Sequence, residues 1–338
     1  MTTPTPDAVD DALVVHAGFQ PRRHHRSWGR ALLRITLIAA IFVAGVAFER
    51  LRYGEYTEPT EFERVGAAWE TLYAEYVDPS LLDSRALADD AIAGLAEAVG
   101  DPGHTYFLTA AEAAAEAASM GGSTDVVDWT MVPARKVGLI RLAVFAEQAG
   151  AQTLEAARAA VEAGATSLVF DLRGNPGGYL DQAITVAGVF LDAGQPVLRE
   201  RDRAGTEVVH VVPAGSIPTD LPVAVLVDAD TASSAEVVMG ALQDAGRAMI
   251  VGTATAGTGT ILTDFEWDDG SVLSVGTELW LTPNGRSAWH VGLMPDVTVA
   301  LPSGATAMTP RRLAAIGLSS SRDAQLLRAI DSLIAPVE

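Results

Sequence analysis

The sequence predicts an α/β fold, with a mixed core of parallel and antiparallel strands flanked by helices and a helical cap N-terminal to that core. Three observations predict this fold class. Apolar runs typical of buried strands alternate with amphipathic helical segments from residue 137 to residue 246, which indicates parallel strands covered by helices. Two segments of strand character joined by DDG predict an antiparallel hairpin. Apolar residues at near-helical spacing within 62–77 and 83–99 predict the cap.

The first fifty residues predict a leader and a membrane anchor. Residues 1–30 are polar and include the cluster RRHHR, which is typical of a disordered cytoplasmic leader. Residues 35–48 are uncharged and mostly apolar, and the preceding ALLR extends them to a candidate transmembrane signal anchor at 31–50. A buried core helix and a cleaved signal peptide are the alternatives. The arginines before the run favour a single-pass protein with its N-terminus in the cytoplasm and its body extracytoplasmic.

Composition excludes several classes of partner and chemistry. The net charge is −20, so we expect no nucleic acid or anionic lipid to bind the body of the protein. This charge is uneven, because residues 1–50 hold six arginines against four acids. The chain has no cysteine, which excludes disulfides and thiolate chemistry. No His, Asp or Glu cluster has the spacing of metal ligands, so neither a metal nor a cofactor is predicted.

The elements of the cap and core follow in order. The cap, at 51–120, holds two predicted helices, a Gly/Pro loop GDPGHTYF, and a third helix capped at Thr109. The core, at 121–305, is predicted to alternate strands and helices before the hairpin. Its predicted strands are 137–145, 167–174 and 223–230, and its predicted helices are 149–164, 179–194 and 231–246. A tail at 306–338 ends in an amphipathic helix over 321–334.

Two loops at the ends of buried strands carry candidate chemistry. In VLVDADTASSAEVV a strand runs into a helix, and a serine at such a junction can present its Oγ above the sheet edge beside backbone N–H groups. Helix capping by Thr231, Ser233 or Ser234 is the simpler interpretation of this stretch alone. The second loop, NPGG, follows the predicted strand that ends in DLRG. Its two glycines let a backbone amide approach a ligand closely. In a parallel sheet both strand ends lie at one edge, where sites form.

Taken together, these stretches resemble the C-terminal processing (tail-specific) serine peptidases. The resemblance rests on DLRGNPGG, on TASSAEVV with the following GALQDAGRA, and on GRSAWHVGLMPDV, in the order that the family has them. It covers roughly residues 60–300. The family pattern S-A-S-A-S-E implies that Ser233 is the nucleophile. The resemblance further implies that the backbone amides of Gly178 and Ser234 form the oxyanion hole.

The chain departs from the family in two places. Only about twenty residues separate the third helix from the first core strand, too few for the PDZ domain that the family usually inserts there, so no PDZ domain is expected. The family lysine that accepts the nucleophile's proton aligns with Thr258 in GTATAGTGT, and the assisting glutamine aligns with Leu262. Lys136 is the single lysine of the chain and is predicted to lie at the opposite end of the core.

Without that lysine, a histidine is the natural base near neutral pH. His104 lies in the cap loop, and its Gly-His-Thr resembles the lysine-free, tricorn-type members, which use a Ser-His-Glu arrangement. Glu278 is the candidate orienting acid, with a solvent-exposed sheet-edge glutamate as the alternative. His290 is the rival base, with a binding role or simple packing beside Trp289 as alternatives. His210 is assigned to a surface hairpin.

The sequence therefore predicts a membrane-anchored extracytoplasmic serine endopeptidase. Its partner would be a polypeptide substrate, and its membrane contact would be made through residues 31–50. Ser233 would attack, His104 would move the proton, and Glu278 would orient the imidazole, with His290 and Thr258 close to the site. The alternative is a catalytically inactive, peptidase-like protein that binds peptides.

Overall fold

The computed structural model describes residues 62–101, 103–121, 125–214 and 219–334. The chain divides into two compact units, residues 1–82 and 83–338. The predicted leader and anchor, residues 1–50, lie outside the described residues. Within the described part of the chain, no helix is both long and apolar enough to cross a membrane.

The predicted N-terminal helices are present. Helix α1, Phe62–Glu75, belongs to the first unit, and α2, Ser84–Ala98, begins the second. Helix α3, Ala110–Gly121, begins after a capping box, in which the Thr109 N–H donates to Glu112 (2.9 Å) and the Glu112 N–H donates to the Thr109 hydroxyl (3.4 Å). The loop between α2 and α3 contains a short strand, β1, Tyr106–Leu108, which the sequence analysis did not predict.

A six-stranded sheet forms the centre of the larger unit. Its strands are β2 (Val127–Val132), β3 (Val137–Leu142), β4 (Ser167–Asp171), β7 (Val223–Val227), β8 (Ala248–Gly252) and β11 (Val297–Thr298). Their order in the sheet is β11-β8-β7-β4-β3-β2, and every pair is parallel except β2 with β3. The parallel pairing confirms the alternating strand-helix prediction.

A second sheet has the order β1-β10-β5-β6, with β9 also paired to β10. All of its pairings are antiparallel. The β9–β10 pair is the predicted hairpin, and the β5–β6 hairpin carries His210, as expected. The strands not yet named are β5 (Pro196–Arg201), β6 (Glu207–Val211), β9 (Thr260–Glu266) and β10 (Val272–Leu281).

Helices cover both faces of the six-stranded sheet. Along β4, the side chains of Leu168 and Phe170 enter one apolar cluster while Val169 enters the other, as the two-residue period of a strand requires. The first cluster packs against helices α4, α5 and α6, and the second packs against α8. These helices are α4 (Ala149–Glu162), α5 (Leu180–Ala187), α6 (Ser234–Asp244) and α8 (Ala324–Ile334), with α7 (Pro310–Ile316) preceding the last. The sheet is thus buried on both sides, and its strand ends are where functional groups can reach solvent.

Three details differ from the prediction. Helix α5 ends at Ala187 rather than near residue 194, because the chain turns at Gly188 and buries Phe190 and Leu191 outside the helix. Strands β2, β8 and β11 and helix α7 were not predicted. The C-terminal helix begins at Ala324, three residues later than expected.

Candidate active site

The site lies where the carboxyl ends of neighbouring parallel strands meet. The Asn-Pro-Gly-Gly loop follows β4, the Ser233 loop follows β7, and the segment 253–259 follows β8. Because β4, β7 and β8 are adjacent and parallel, these three loops share one edge of the sheet. The convergence that the sequence predicted for two loops therefore extends to a third.

Ser233 occupies the junction between the β7 loop and helix α6. It is half-buried and has a φ of 51° and a ψ of −122°, a backbone conformation that residues other than glycine rarely adopt. Such strain at a strand-to-helix turn is typical of a nucleophilic serine displayed above a sheet. A serine that only capped the helix would have ordinary extended dihedral angles.

The Asn-Pro-Gly-Gly loop is clamped against this junction by Asn175. The Asn175 carbonyl accepts from the Ala232 N–H (2.9 Å), and its side chain accepts from the Gly177 N–H (2.9 Å) and donates to the Leu142 carbonyl (2.9 Å). Asn175 is fully buried, so these bonds fix the loop in place. The Ser234 hydroxyl adds a further link, since it donates to the Gly178 carbonyl (2.7 Å).

Both glycines of this loop are required by close approach. A Cβ on Gly177 would lie 2.6 Å from the Ser233 Cβ and 3.1 Å from the Ser234 nitrogen. A Cβ on Gly178 would lie 2.5 Å from the Phe145 carbonyl oxygen, and its φ of 134° is open only to glycine. The loop backbone therefore lies directly against the serine pair. This places the two predicted oxyanion residues, Gly178 and Ser234, side by side.

A buried carboxylate, Glu236, organises the segment after β8. It is fully buried and accepts hydrogen bonds from the Ser233 N–H (3.0 Å), the Thr255 hydroxyl (2.5 Å) and the Gly257 N–H (2.9 Å). It also accepts from the N–H (2.8 Å) and hydroxyl (2.5 Å) of Thr258. One side chain thus fixes both the serine junction and the loop beside it. The sequence analysis did not single out Glu236, although the S-x-x-E spacing from Ser233 is the pattern of a capping box.

Thr258, at the position of the family lysine, is next to Ser233. Its hydroxyl oxygen accepts from the Ser233 N–H and donates to Glu236. Its carbonyl accepts from the indole N–H of Trp280 (2.6 Å). Thr258 is therefore in direct contact with Ser233, the serine predicted to be the nucleophile. Leu262, matched to the glutamine, lies on β9 and is exposed.

Lys136 is remote from this edge. It immediately precedes β3, whose first residue, Val137, is paired with the first residue of β4. Lys136 therefore lies at the amino edge of the sheet and Ser233 at the carboxyl edge, separated by strands about 17 to 20 Å long. The prediction that the single lysine lies at the opposite end of the core is confirmed.

His104 lies in the loop between α2 and β1 and is almost buried, with 9% of its surface exposed. Its Nδ1 is 3.0 Å from the Oδ1 of Asp101, a residue that the sequence analysis did not single out. The indole N–H of Trp289 donates to the same oxygen, at 3.3 Å. Trp289 in turn packs on Gly259, where a Cβ would lie 2.3 Å from the Trp289 Cβ. Gly259 follows Thr258, so this chain of contacts connects the His104 loop with the Ser233 site.

Glu278 and His290 have other surroundings. Glu278 is half-buried on β10 and accepts a hydrogen bond from the hydroxyl of Thr277. His290 is exposed, has a φ of 62°, and lies with its ring centroid 4.6 Å from that of Trp289. Its backbone N–H donates to the Gly257 carbonyl (2.9 Å), which places the His290 loop against the Thr258 segment. The residues that the structure describes contain no group of three or more His, Asp or Glu able to hold a metal.

Comparison with known protein families matches residues 136–299 to Peptidase family S41. The matched residues make up just under half of the chain, which is therefore similar to that family over this segment. The match spans the strands and loops that build the site, from the start of β3 to the end of β11. The predicted resemblance to C-terminal processing serine peptidases is confirmed.

Two curated relatives and one solved structure show the extent of the likeness. The "Probable CtpA-like serine protease" of Staphylococcus aureus is 36% identical over 168 residues, which are 49% of this chain and 34% of the relative. The carboxy-terminal processing protease CtpA of Bacillus subtilis is 34% identical over 166 residues, 49% of this chain and 35% of the relative. The chain thus spans about a third of the length of these relatives.

The solved structure is a photosystem II D1 C-terminal processing protease. It is 28% identical, with a TM-score of 0.50, and the superposition covers 59% of this chain and 55% of that protein. This likeness confirms the predicted α/β fold class.

Proposed function

We propose that the protein is a serine endopeptidase that cleaves polypeptides with Ser233 as nucleophile and His104 as base. The observation that carries the proposal is the strained conformation of Ser233 at the sheet edge, directly against the Asn-Pro-Gly-Gly loop. Strain of this kind clusters at functional sites, and a strand-to-helix turn is where a nucleophilic serine is displayed. The similarity to serine proteases over residues 136–299 supports the same function.

The reaction would follow the sequence of acyl transfer. The Ser233 Oγ attacks the scissile carbonyl carbon while its proton passes to Nε2 of His104. The amides of Gly178 and Ser234 donate to the oxyanion of the tetrahedral intermediate. The imidazolium then gives its proton to the leaving amine, and water, activated by the same imidazole, hydrolyses the acyl-enzyme.

Histidine is proposed as the base because the single lysine of the chain is remote from Ser233. The position beside Ser233 holds Thr258, whose hydroxyl is engaged by Glu236 and the Ser233 N–H. Lys136, the one lysine of the chain, lies at the other edge of the sheet. His104 is held by Asp101 on the loop that Trp289 ties to the Thr258 segment, which supports it over the exposed His290.

We further propose that the body is extracytoplasmic and tethered to the membrane through residues 31–50. The support is the run of apolar residues preceded by arginines, together with the acidic remainder of the chain. Such a tether would place the site near peptides outside the cytoplasm.

A serine-directed fluorophosphonate probe tests the proposal with the full-length chain in detergent. We expect the probe to label Ser233, and the full-length chain to cleave casein. Ser233→Ala is expected to abolish labelling, while Ser84→Ala, a matched change at an exposed serine of α2, leaves it unchanged. His104→Ala should slow labelling by about a hundredfold or more, the scale of general-base catalysis. An unsubstituted protein that neither labels nor cleaves would instead favour the peptide-binding alternative.

A further inference from the structure

We propose that Asp101 is the residue that positions the imidazole of His104, an inference that rests on the proposed function. The Asp101 Oδ1 is 3.0 Å from the His104 Nδ1, and the two residues are only 7% and 9% exposed. A charge-assisted hydrogen bond shielded from water in this way is stronger than one at the surface. The pair is therefore fixed rather than incidental.

The side of the ring that Asp101 contacts determines what His104 can do. A carboxylate accepts only, so Nδ1 carries the proton of the neutral imidazole and donates it to Asp101. The lone pair then lies on Nε2, which is the atom that must accept the proton of a serine. Asp101 also stabilises the imidazolium that forms during attack. The His104–Asp101 pair thus has the two properties required of the base and its orienting acid.

The surrounding contacts hold the pair in one geometry. Asp101 and His104 are on the same tight turn, in which the backbone N–H of His104 (3.1 Å) and that of Thr105 (3.2 Å) both donate to the Asp101 carbonyl. The indole N–H of Trp289 also donates to the Asp101 Oδ1. The carboxylate is therefore fixed by an element that also packs on Gly259, next to Thr258.

Glu278, the acid predicted from the sequence, provides the competing assignment. Its carboxylate accepts from the Thr277 hydroxyl of the same strand. The two acids can be compared directly by isosteric substitution, because Asp101→Asn and Glu278→Gln each remove one negative charge and preserve shape. Asp90→Asn, on the exposed face of α2, is the matched control.

The experiment measures fluorophosphonate labelling rates and casein kcat and KM for these variants and His104→Ala in the full-length chain. We expect Asp101→Asn to lower kcat by between about a hundredfold and 10⁴-fold with little change in KM, as for the orienting acid of a Ser-His-Asp triad. Asp101→Glu should recover part of this loss. Asp90→Asn should retain kcat within about threefold of the unsubstituted protein, and Glu278→Gln should lose less kcat than Asp101→Asn does.

A second readout follows the imidazole itself. In protein labelled with ¹⁵N-histidine, the Nδ1–H proton of His104 should give a hydrogen-bonded signal that Asp101→Asn removes or shifts. Suppose that His104→Ala has a low kcat, while Asp101→Asn has an unchanged kcat and an unchanged signal. That result would overturn this inference and leave the proposed function intact. Unchanged activity in His104→Ala would overturn both. If the unsubstituted protein shows no activity, the proposed function fails, and the signal still decides whether Asp101 holds the ring.

Discussion

At the scale of single residues, Thr258 occupies the position of the family lysine beside the proposed nucleophile. Its hydroxyl accepts from the Ser233 N–H and donates to Glu236, so it takes part in holding the Ser233 backbone. A lysine here would place an ammonium group beside the serine. A positive charge near His104 would disfavour the imidazolium that forms during attack. The side chain at residue 258 therefore has to be small and neutral for a histidine mechanism.

This argument predicts that Thr258→Lys lowers activity rather than raising it. We expect kcat to fall about tenfold or more, because the ammonium raises the cost of protonating the base. Thr258→Ser, which keeps the hydroxyl, is the matched control and should retain most of the activity. Fluorophosphonate labelling of the two variants is the measurement. An inert parent protein whose Thr258→Lys variant labels at Ser233 would contradict the histidine mechanism and support the peptide-binding alternative.

Glu236 gives a second prediction at this scale. Its carboxylate accepts from backbone N–H groups of Ser233, Gly257 and Thr258, and an amide in its place would turn a donor toward some of them. We expect Glu236→Gln to lower the free energy of unfolding by about 2 kcal/mol, the cost of a buried polar group left unpaired. The labelling rate should fall further than that of an equally destabilised core variant, Val238→Ala on the same helix. Equal labelling rates in the two variants would mean that Glu236 supports only the fold.

The sequence singled out some of these residues and not others. Ser233, Gly178 and Ser234 were assigned from the resemblance to C-terminal processing peptidases, because the strand-to-helix junction alone is equally typical of a helix cap. The structure brings the three residues together, and their roles stay predictions. Asp101 could not be chosen among the acids of the cap, because its importance depends on the ring that it contacts. Glu236 stands between these cases, since its spacing from Ser233 was visible but its contacts with the segment after β8 were not.

At the scale of elements, the C-terminal helix α8 is attached to strand β4 through a buried ion cluster. Arg173, just after β4, donates to Asp171 (2.7 Å), to Asp323 (2.8 Å) and to Gln325 (3.0 Å) at the start of α8. Burial lowers the pKa of the Arg173 guanidinium, but the two carboxylates raise it by more, so its net direction is upward. The guanidinium therefore stays charged, and it joins α8 to the strand that carries the Asn-Pro-Gly-Gly loop.

Removing this cation should destabilise the larger unit. We expect Arg173→Met to lower the free energy of unfolding by about 3 to 5 kcal/mol, because two buried carboxylates lose their partner. Arg158→Met, at an exposed position of α4, should change it by less than about 0.5 kcal/mol. Urea unfolding followed by circular dichroism measures both. If Arg173→Met changed the free energy of unfolding as little as Arg158→Met does, solvent would be stabilising the carboxylates of Asp171 and Asp323 in place of the guanidinium.

Long elements with a clear apolar period could be predicted from the sequence, and short ones could not. The hairpin of β9 and β10 and the long helix α4 have clear patterns, and both are confirmed. Strand β8 is a five-residue apolar run, too short to separate from the neighbouring helix by period alone. The sequence analysis extended helix α5 too far, to residue 194, because the apolar residues after Gly188 continue a helical pattern. In the structure these residues are buried in a turn instead.

At the scale of the whole molecule, the first fifty residues are slightly basic and the rest of the chain is acidic. Six arginines and four acids lie in the first fifty residues, while the total for the chain is −20. The remaining residues are therefore strongly acidic. Such a charge disfavours binding of nucleic acid and anionic headgroups by this part of the chain.

The final prediction concerns the orientation of this arrangement across a membrane. Positively charged residues flanking an apolar segment are retained on the cytoplasmic side, so residues 1–30 should stay inside and the acidic body should lie outside. Protease added to intact cells or spheroplasts should then digest the body and spare an epitope tag placed at residue 1. Replacing Arg22, Arg23, Arg26, Arg30 and Arg34 by Glu removes the positive flank and should make the body less accessible to protease. Protection of the body together with loss of the N-terminal tag in the unsubstituted protein would reverse the assigned orientation, and with it the compartment in which substrates are to be sought.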